Sequence, residues 1–186
     1  MPRIRLVRHG RAAAGFSDDH DPGLDVTGRA QAAAAAATLA PLGPLALVVS
    51  PLRRTRETAE PLAAAWGVTP VIDPRVAEIP SPTDDLAERG AWLSDAMAGT
   101  WADLGPALAG WRDELVDAVR SLPDDTVVVS HFIAINAVIG AAVGDDRVMH
   151  VPLGNCSVTT IDTTSGTTAG GLTVVELGVE AVTEVR

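Results

Sequence analysis

The segment Ile4-Arg5-Leu6-Val7-Arg8-His9-Gly10 predicts a short β-strand that ends in two basic side chains and a glycine. A buried strand rarely ends in Arg8-His9-Gly10 unless an anion binds there, because unpaired charge is costly to bury. The first strand therefore predicts a phosphate site at its C-terminal end.

Strands and helices alternate along the rest of the chain. Further strands are predicted at 45–50, 69–72 and 126–130. Two more are predicted near the C-terminus, at 157–162 and 172–177. The Gly- and Thr-rich turn 163–171 joins these two, as in a hairpin at one edge of the sheet. Strands that alternate with helices indicate an α/β fold. We expect a three-layer α/β/α sandwich whose sheet is mostly parallel with an antiparallel edge.

Helix signals separate the predicted strands. The first helix opens at 25–31 with Thr27 as its expected N-cap. Ser50-Pro51 is expected to cap the second, which runs to about Trp66 before Gly67 stops it. A later helix, 132–143, follows the fourth strand and is closed by glycine.

Two helices are predicted between the third and fourth strands, as a helical insertion at about 83–122. They contain three of the chain's four tryptophans, Trp92, Trp101 and Trp111. Amphipathic packing onto the core is one interpretation. The other is a lid whose aromatic side chains shape a substrate pocket.

Length and composition bound the class of protein. The chain has 186 residues, 47% hydrophobic and 20% charged, which is typical of a single globular domain over residues 1–186. No apolar run reaches the ~20 residues that cross a bilayer. The N-terminus enters the first strand without a signal-peptide pattern, and a cytoplasmic protein is expected. Cys156 cannot form an internal disulfide, and it is interpreted as a small packing residue in preference to a nucleophile.

The net charge is −10, from 14 basic and 24 acidic residues, and every basic residue is an arginine. An acidic surface repels nucleic acid and offers no polybasic membrane patch, so neither partner is expected. Arg8 and Arg53-Arg54 then form a local basic cluster in an acidic chain. This contrast supports an anion site.

Four polar side chains follow the ends of predicted strands: His9, Arg54, Glu78 and His131. In an open α/β sheet, ligands bind beyond the carboxyl ends of the strands, so these side chains are expected to meet. Arginine forms paired hydrogen bonds to phosphate oxygens. Neighbouring arginines also disfavour protonated histidine, which keeps an imidazole able to attack phosphorus, and Glu78 is placed to protonate the leaving oxygen.

Three ordered motifs resemble a known family. The segments Leu6–Gly10, Ser50–Ala59 and Val128–His131 are similar to motifs of the histidine phosphatase superfamily, also called phosphoglycerate mutase-like. Gly23–Ala32 resembles the family's Leu-Thr-x-x-Gly-x-x-Gln-Ala segment. The resemblance covers most of the chain and points to the short, divergent members.

The resemblance implies a role for each site residue. His9 would be the nucleophile that becomes phosphorylated, and Arg8, Arg54 and His131 would bind the phosphoryl group. Glu78 would be the general acid and then the base that activates water. Neither a metal nor a cofactor is implied.

The chain also departs from the family pattern. Ala12 and Gly15 occupy positions where the mutase-like members usually carry Ser or Thr and Asn, and the loss of that Asn argues against a phosphoglycerate mutase. Phe132 stands where glycine is common, and the Glu78 loop lacks the Gly-x-Trp-Glu-Gly continuation.

Other readings of individual residues remain open. Asp84 or Asp85 would be a substitute acid if Glu78 is only a solvated loop residue. Asp18–Asp21 is taken as a solvated loop in preference to a metal site, and Arg11 either guides an anionic substrate or is exposed. His150 is taken as structural.

The sequence thus predicts a metal-independent phosphatase that acts on a phosphorylated small molecule or a phosphoprotein through a phosphohistidine. The alternatives are a mutase that shuttles a phosphoryl group and a catalytically weak phosphate-binding regulatory module.

Overall fold

The computed structural model describes residues 1–16, 18–164 and 171–178. Its strands form one six-stranded sheet in the spatial order β3-β2-β4-β1-β5-β6. The strands are β1 Arg3–Arg8, β2 Ala46–Val49, β3 Val71–Ile72, β4 Thr126–Ser130, β5 Val158–Thr163 and β6 Leu172–Glu176. The α-helices are α1 Val26–Leu39, α2 Arg53–Trp66, α3 Leu86–Ala98, α4 Trp101–Leu104, α5 Pro106–Arg120 and α6 Phe132–Val143. Short 3-10 turns lie at Ala40–Leu42 and Pro74–Val76.

Strand directions confirm the predicted sheet. The four strands β3, β2, β4 and β1 pair in parallel, whereas β5 runs antiparallel to β1 and β6 antiparallel to β5. In register, Arg8 lies opposite Ser130, and Val49 lies opposite Val129. The carboxyl ends of β1, β2 and β4 therefore lie level at one edge of the sheet.

Side chains of each strand alternate between two apolar layers, as the two-residue period of a strand requires. Leu6 and Val128 face the side covered by α5 and α6, whereas Val7 and Val129 face the side covered by α1 and α2. Helices thus cover both faces of the central strands. This arrangement confirms the three-layer α/β/α prediction.

The helix caps differ from the prediction. Asp25, not Thr27, is the N-cap of α1: its carboxylate accepts a hydrogen bond from the Gly28 amide at 2.7 Å. The Thr27 hydroxyl instead accepts a hydrogen bond from Arg11. Helix α2 begins at Arg53, after an N-cap residue with no side-chain hydrogen bond, so Ser50-Pro51 precedes the cap. The predicted C-terminal stop at Gly67 is confirmed, with φ of 65°.

The third strand is shorter than the predicted 69–72. Only Val71 and Ile72 pair with β2, and both are exposed at the edge of the sheet. Pro70 has no backbone N–H to donate to a ladder, so it does not extend the strand.

Three helices, α3, α4 and α5, occupy the predicted insertion instead of two. Trp101 is buried in the core, and Trp92 and Trp111 pack against the same cluster. None of the three lines the cavity described below, which favours the packing interpretation of the tryptophans. The division of the chain into one domain with an insertion stays a prediction.

The predicted tail strands are present and pair antiparallel as β5 and β6. Most of the predicted turn 163–171 lies outside the described residues. Across the part of the chain that the structure describes, no helix has the length and apolar character needed to span a membrane.

Candidate active site

A cavity of about 510 Å³ opens at the carboxyl edge of the parallel strands. Arg8, His9, Arg54 and Glu78 all line it, as the sequence predicts. His131 is not on the lining. It is fully buried and its ring lies 5.2 Å from that of His9, centroid to centroid.

Backbone contacts hold the His9 segment against its neighbours. The His9 amide donates to Ser130 O at 3.0 Å, and the Gly10 amide donates to Thr58 Oγ1 at 3.0 Å. A Cβ atom on Gly10 would lie 2.6 Å from the Gly28 carbonyl oxygen, so only glycine allows α1 to approach this closely. The position of the His9 ring is therefore set from several elements.

The hydrogen bonds of the His9 ring define its tautomer. Nδ1 lies 2.8 Å from the Gly10 carbonyl oxygen, which can only accept, so Nδ1 carries the proton. Nε2 accepts a hydrogen bond from Arg54 Nε at 3.2 Å. The lone pair of Nε2 thus lies on the side of the cavity that holds the arginine.

Burial lowers the pKa of His9 to about 3, and the charges of Arg54 and Arg8 act in the same direction. The hydrogen bond from Nδ1 to Gly10 opposes this change but does not cancel it. His9 is therefore neutral at pH 7. A neutral imidazole with an unprotonated nitrogen is the form that attacks phosphorus.

His131 lies behind His9, at the residue that precedes α6. Its Nε2 lies 2.7 Å from Ser50 Oγ, whereas Nδ1 is buried with no hydrogen-bond partner among the described residues. Burial lowers the pKa of His131 well below its ordinary value, and the proximity of His9 and Arg54 adds to this effect. The side chain is thus neutral and keeps one nitrogen for a further contact.

The two site arginines are held differently. Arg54, at the second residue of α2, is 7% exposed, and burial lowers the pKa of its guanidinium. Arg8 donates through Nη1 to the Leu153 carbonyl oxygen, and its guanidinium lies 5.0 Å from the centroid of the Phe132 ring. Both arginines converge on the cavity from neighbouring elements, as anion binding requires.

Glu78 reaches the cavity from the loop after β3. Its carboxylate accepts from the amides of Ala134 at 3.2 Å, Ile133 at 3.4 Å and Ile79 at 3.1 Å. Two of these amides belong to the first turn of α6, where unpaired N–H groups favour an acceptor. Burial nevertheless raises the pKa of Glu78, although the same hydrogen bonds and Arg54 oppose the change. A carboxyl group with a raised pKa keeps its proton to higher pH and can then donate it to a leaving group.

The mouth of the cavity is formed by the loop between β1 and α1. Arg11 lines it, but its Nε lies 2.5 Å from Asp25 Oδ2, so its charge is already paired. Asp18, Asp19 and His20 also line the mouth. Across the described residues, no group of three or more His, Cys, Asp or Glu is placed to hold a metal ion.

Asp84 and Asp85, the alternative acids, do not line the cavity. Asp85 instead caps α3, where its carboxylate accepts hydrogen bonds from the amides of Ala87 and Glu88. Burial raises the pKa of the Cys156 thiol to about 12, which makes it a poor nucleophile. His150 donates through Nε2 to the Arg147 carbonyl oxygen at 2.8 Å, away from the cavity.

Two supporting side chains were not predicted from sequence. Asn155 lines the cavity and donates through Nδ2 to the His9 carbonyl oxygen at 3.0 Å. Thr58 supplies the hydroxyl that accepts from Gly10. Thr58 lies within the motif that carries Arg54, so its place in that motif was a signal, whereas nothing local marked Asn155.

The lowered pKa of His9 predicts loss of stability in mild acid. The unfolded chain takes up a proton on this residue below about pH 6.5, whereas the folded chain does so only near pH 3. Stability therefore falls as the pH is lowered. Between pH 7 and pH 5, we expect the free energy of unfolding of the wild type to fall by on the order of 2 kcal/mol more than that of His9→Gln. Urea titrations at the two pH values measure this difference, and equal losses would contradict it.

Comparison with known proteins shows the family to which the chain belongs. The family model described as the histidine phosphatase superfamily (branch 1) matches residues 4–171. A protein of Erwinia tasmaniensis named "Probable phosphoglycerate mutase GpmB" is 30% identical, over 87% of this chain and 85% of its own length.

Solved structures of the same fold are also similar. A mycobacterial glucosyl-3-phosphoglycerate phosphatase is 25% identical with a TM-score of 0.72, over 97% of this chain and all of its own. A phosphoserine phosphatase of Entamoeba histolytica superimposes with a TM-score of 0.75 at 20% identity, over 97% of this chain and 98% of its own. At that lower identity the likeness shows the fold alone.

Proposed function

Because the chain belongs to the histidine phosphatase superfamily (branch 1), we propose that it is a phosphatase that hydrolyses a phosphomonoester through a phosphohistidine on His9. One observation carries the proposal above the others. His9 Nε2 is unprotonated and lies 3.2 Å from Arg54 Nε at a shared cavity. A nucleophile and an anion-binding group thus meet at one point.

In the first step, His9 Nε2 attacks phosphorus, and the bond between phosphorus and the leaving oxygen breaks. Arg8 and Arg54 stabilise the charge on the phosphoryl oxygens, and His131 Nδ1 is the further group proposed to contact them. Glu78 gives its proton to the leaving oxygen, so the alcohol departs neutral.

In the second step, the Glu78 carboxylate accepts a proton from water, and the water oxygen attacks phosphorus. The bond between phosphorus and Nε2 breaks, which returns His9 to its starting tautomer and releases phosphate. The position of Glu78 suits both steps. Burial raises its pKa, while the α6 amides stabilise the carboxylate that forms between the steps.

A mutase is the second candidate, favoured by the name of the Erwinia relative. A mutase must hold its substrate while the phosphoryl group moves between two hydroxyl groups. Ala12 and Gly15 line the cavity where polar side chains are usual in mutase-like members, and neither offers a side-chain hydrogen bond. This part of the cavity therefore supports hydrolysis in preference to transfer.

The proposed substrate is a phosphorylated small molecule or a phosphoprotein. A phosphate-binding regulatory module would use the same arginines but would need no proton donor beside them. The presence of Glu78 on the cavity lining, with a raised pKa, supports catalysis over binding alone.

Release of inorganic phosphate from an aryl phosphate tests the proposal. We expect Arg54→Ala to lower kcat/KM about a hundredfold, because a buried donor to the transferring group is lost. Arg53→Ala is the matched control, since Arg53 pairs with Glu57 at 2.6 Å outside the cavity and should change kcat/KM less than about threefold.

Two results would contradict the proposal. A wild-type protein that binds phosphate but releases none from any ester would indicate a binding module. A protein that moves phosphate between two hydroxyls of one substrate, with no net release, would indicate a mutase.

A further inference from the structure

Both phenylalanines of the chain line the proposed catalytic cavity. The sequence contains two Phe residues and no Tyr, and Phe16 and Phe132 come from different elements, the β1–α1 loop and the start of α6. Phenylalanine side chains are among the most favourable apolar contacts that a pocket can offer a ligand. Their concentration at one cavity indicates recognition of the leaving group.

An arginine lies over each ring. The Arg89 guanidinium, from α3, lies 4.1 Å from the Phe16 centroid, and Arg8 lies 5.0 Å from the Phe132 centroid. Arg89 also donates from Nη1 to His20 Nδ1 at 2.8 Å, which ties the β1–α1 loop to α3. Both half-buried rings are thus held in place before any substrate binds.

Other apolar side chains share the cavity lining with the two rings. Leu93 of α3 lines the cavity, and so do Ala12, Ala13 and Ala14 of the loop. A cavity of about 510 Å³ is much larger than a phosphoryl group alone would need. The remaining space therefore suits an apolar leaving group.

The charges of the outer cavity disfavour a second anion. Arg11 is paired with Asp25, and His20 holds no proton on Nδ1 because arginine can only donate to it. Asp18 and Asp19 add negative charge at the mouth, and neither forms an ion pair within the described residues. Arg89 is not on the cavity lining, and its guanidinium lies over the Phe16 ring.

Resting on the proposed phosphatase function, we infer that the substrate is a phosphomonoester whose leaving group is aromatic or similarly flat and apolar, with no second anionic group. Phe16 and Phe132 contact that leaving group, while Arg8 and Arg54 bind the phosphoryl group. Phe16 is then a specificity-determining residue, and Arg89 is a positioning residue that acts through it.

Four alkyl phosphates with poor leaving groups test the inference. They are benzyl phosphate, glycerol 1-phosphate, 4-carbamoylbenzyl phosphate and 4-carboxybenzyl phosphate. We expect kcat/KM to favour benzyl over glycerol phosphate at least about tenfold, from apolar burial. The kcat/KM for the carbamoyl compound should exceed that for the carboxyl compound about tenfold at low salt. In 0.5 M salt the Debye length is on the order of a few Å, so charges are screened and this preference should shrink.

A variant and a matched control locate the effect. Phe16→Ala should lower the benzyl-to-glycerol ratio about tenfold, because the lost ring contact concerns only the aromatic substrate. Leu42→Ala removes another partly exposed apolar side chain, 46% exposed and outside the cavity, and should keep the wild-type ratio. The ratio is read within one preparation, so partial misfolding does not imitate the result.

Equal use of benzyl and glycerol phosphate, or a preference for the carboxyl compound, would overturn the inference. Absence of hydrolysis with all four esters would instead overturn the proposed function. In that case, calorimetric binding of benzylphosphonate, 4-carboxybenzylphosphonate and 2-hydroxyethylphosphonate still decides the inference: tightest binding of benzylphosphonate supports it, and any other order overturns it.

Discussion

His9→Ala is expected to lower kcat for an aryl phosphate at least about a thousandfold, because the group that forms the covalent intermediate is lost. The variant should also fail to acquire an acid-labile phosphoryl group when mixed with labelled substrate and quenched within one turnover. The measurement combines steady-state phosphate release with rapid-quench labelling.

His20→Ala provides the histidine control for this experiment. His20 lines the cavity, but its ring is hydrogen-bonded to Arg89 and not to Arg54, so this variant should still become labelled. Circular dichroism and phosphate binding show whether His9→Ala keeps its fold. Labelling of a folded His9→Ala protein at the wild-type level would end the assignment of the nucleophile.

Glu78→Gln is expected to lower kcat/KM for an alkyl phosphate about a thousandfold but for 4-nitrophenyl phosphate less than about tenfold. An alkoxide needs a proton to depart, whereas nitrophenolate does not. Glutamine keeps one acceptor oxygen, which in the place of Glu78 Oε1 still accepts from the amides of Ala134 and Ile79. Only the longer contact from the Ile133 amide, at 3.4 Å, is lost, so the loop should stay in place. Parallel assays of the two substrates measure the difference.

Asp84→Asn is the matched control, because Asp84 is an exposed acid in the loop that follows Glu78 and does not line the cavity. Its kcat/KM for both substrates should stay within about threefold of the wild-type values. Equal losses on the two substrates in Glu78→Gln would mean that Glu78 is not the leaving-group acid.

The pH dependence of the alkyl phosphate reaction gives a second measure of Glu78. Because burial raises its pKa, the protonated acid persists to higher pH than an exposed glutamate would. Activity on the alkyl ester should therefore decline as the pH rises through that raised value. The nitrophenyl ester should show less of this decline.

Much of the sheet could be predicted from sequence because its signals are local. The predicted bounds of β4 and α6 agree with the structure, since an unbroken apolar run and a terminal glycine mark them. The cap of α1 was predicted wrongly because Asp25 and Thr27 are both good caps two residues apart. The hydrogen bond from the Gly28 amide to the Asp25 carboxylate distinguishes them in the structure, while the Thr27 hydroxyl accepts from Arg11.

The candidate site was predictable in a similar, partial way. Arg8, His9, Arg54 and His131 follow strands or lie in motifs, and the structure brings them together at the predicted edge. The catalytic roles assigned to them stay predictions. Glu78 carried the weakest signal, since its contact with the α6 amides joins residues more than 50 positions apart.

By itself, the sequence determined the α/β class, the strand order along the chain and the family, because hydrophobic period and motif order are properties of neighbouring residues. Only the tertiary structure decided that His9 Nε2 accepts from Arg54, that His131 lies behind His9 on Ser50, and that Phe16 is held by Arg89. The physical reason is that each of these contacts joins elements far apart in the chain. Their geometry exists only once the helices have packed on the sheet.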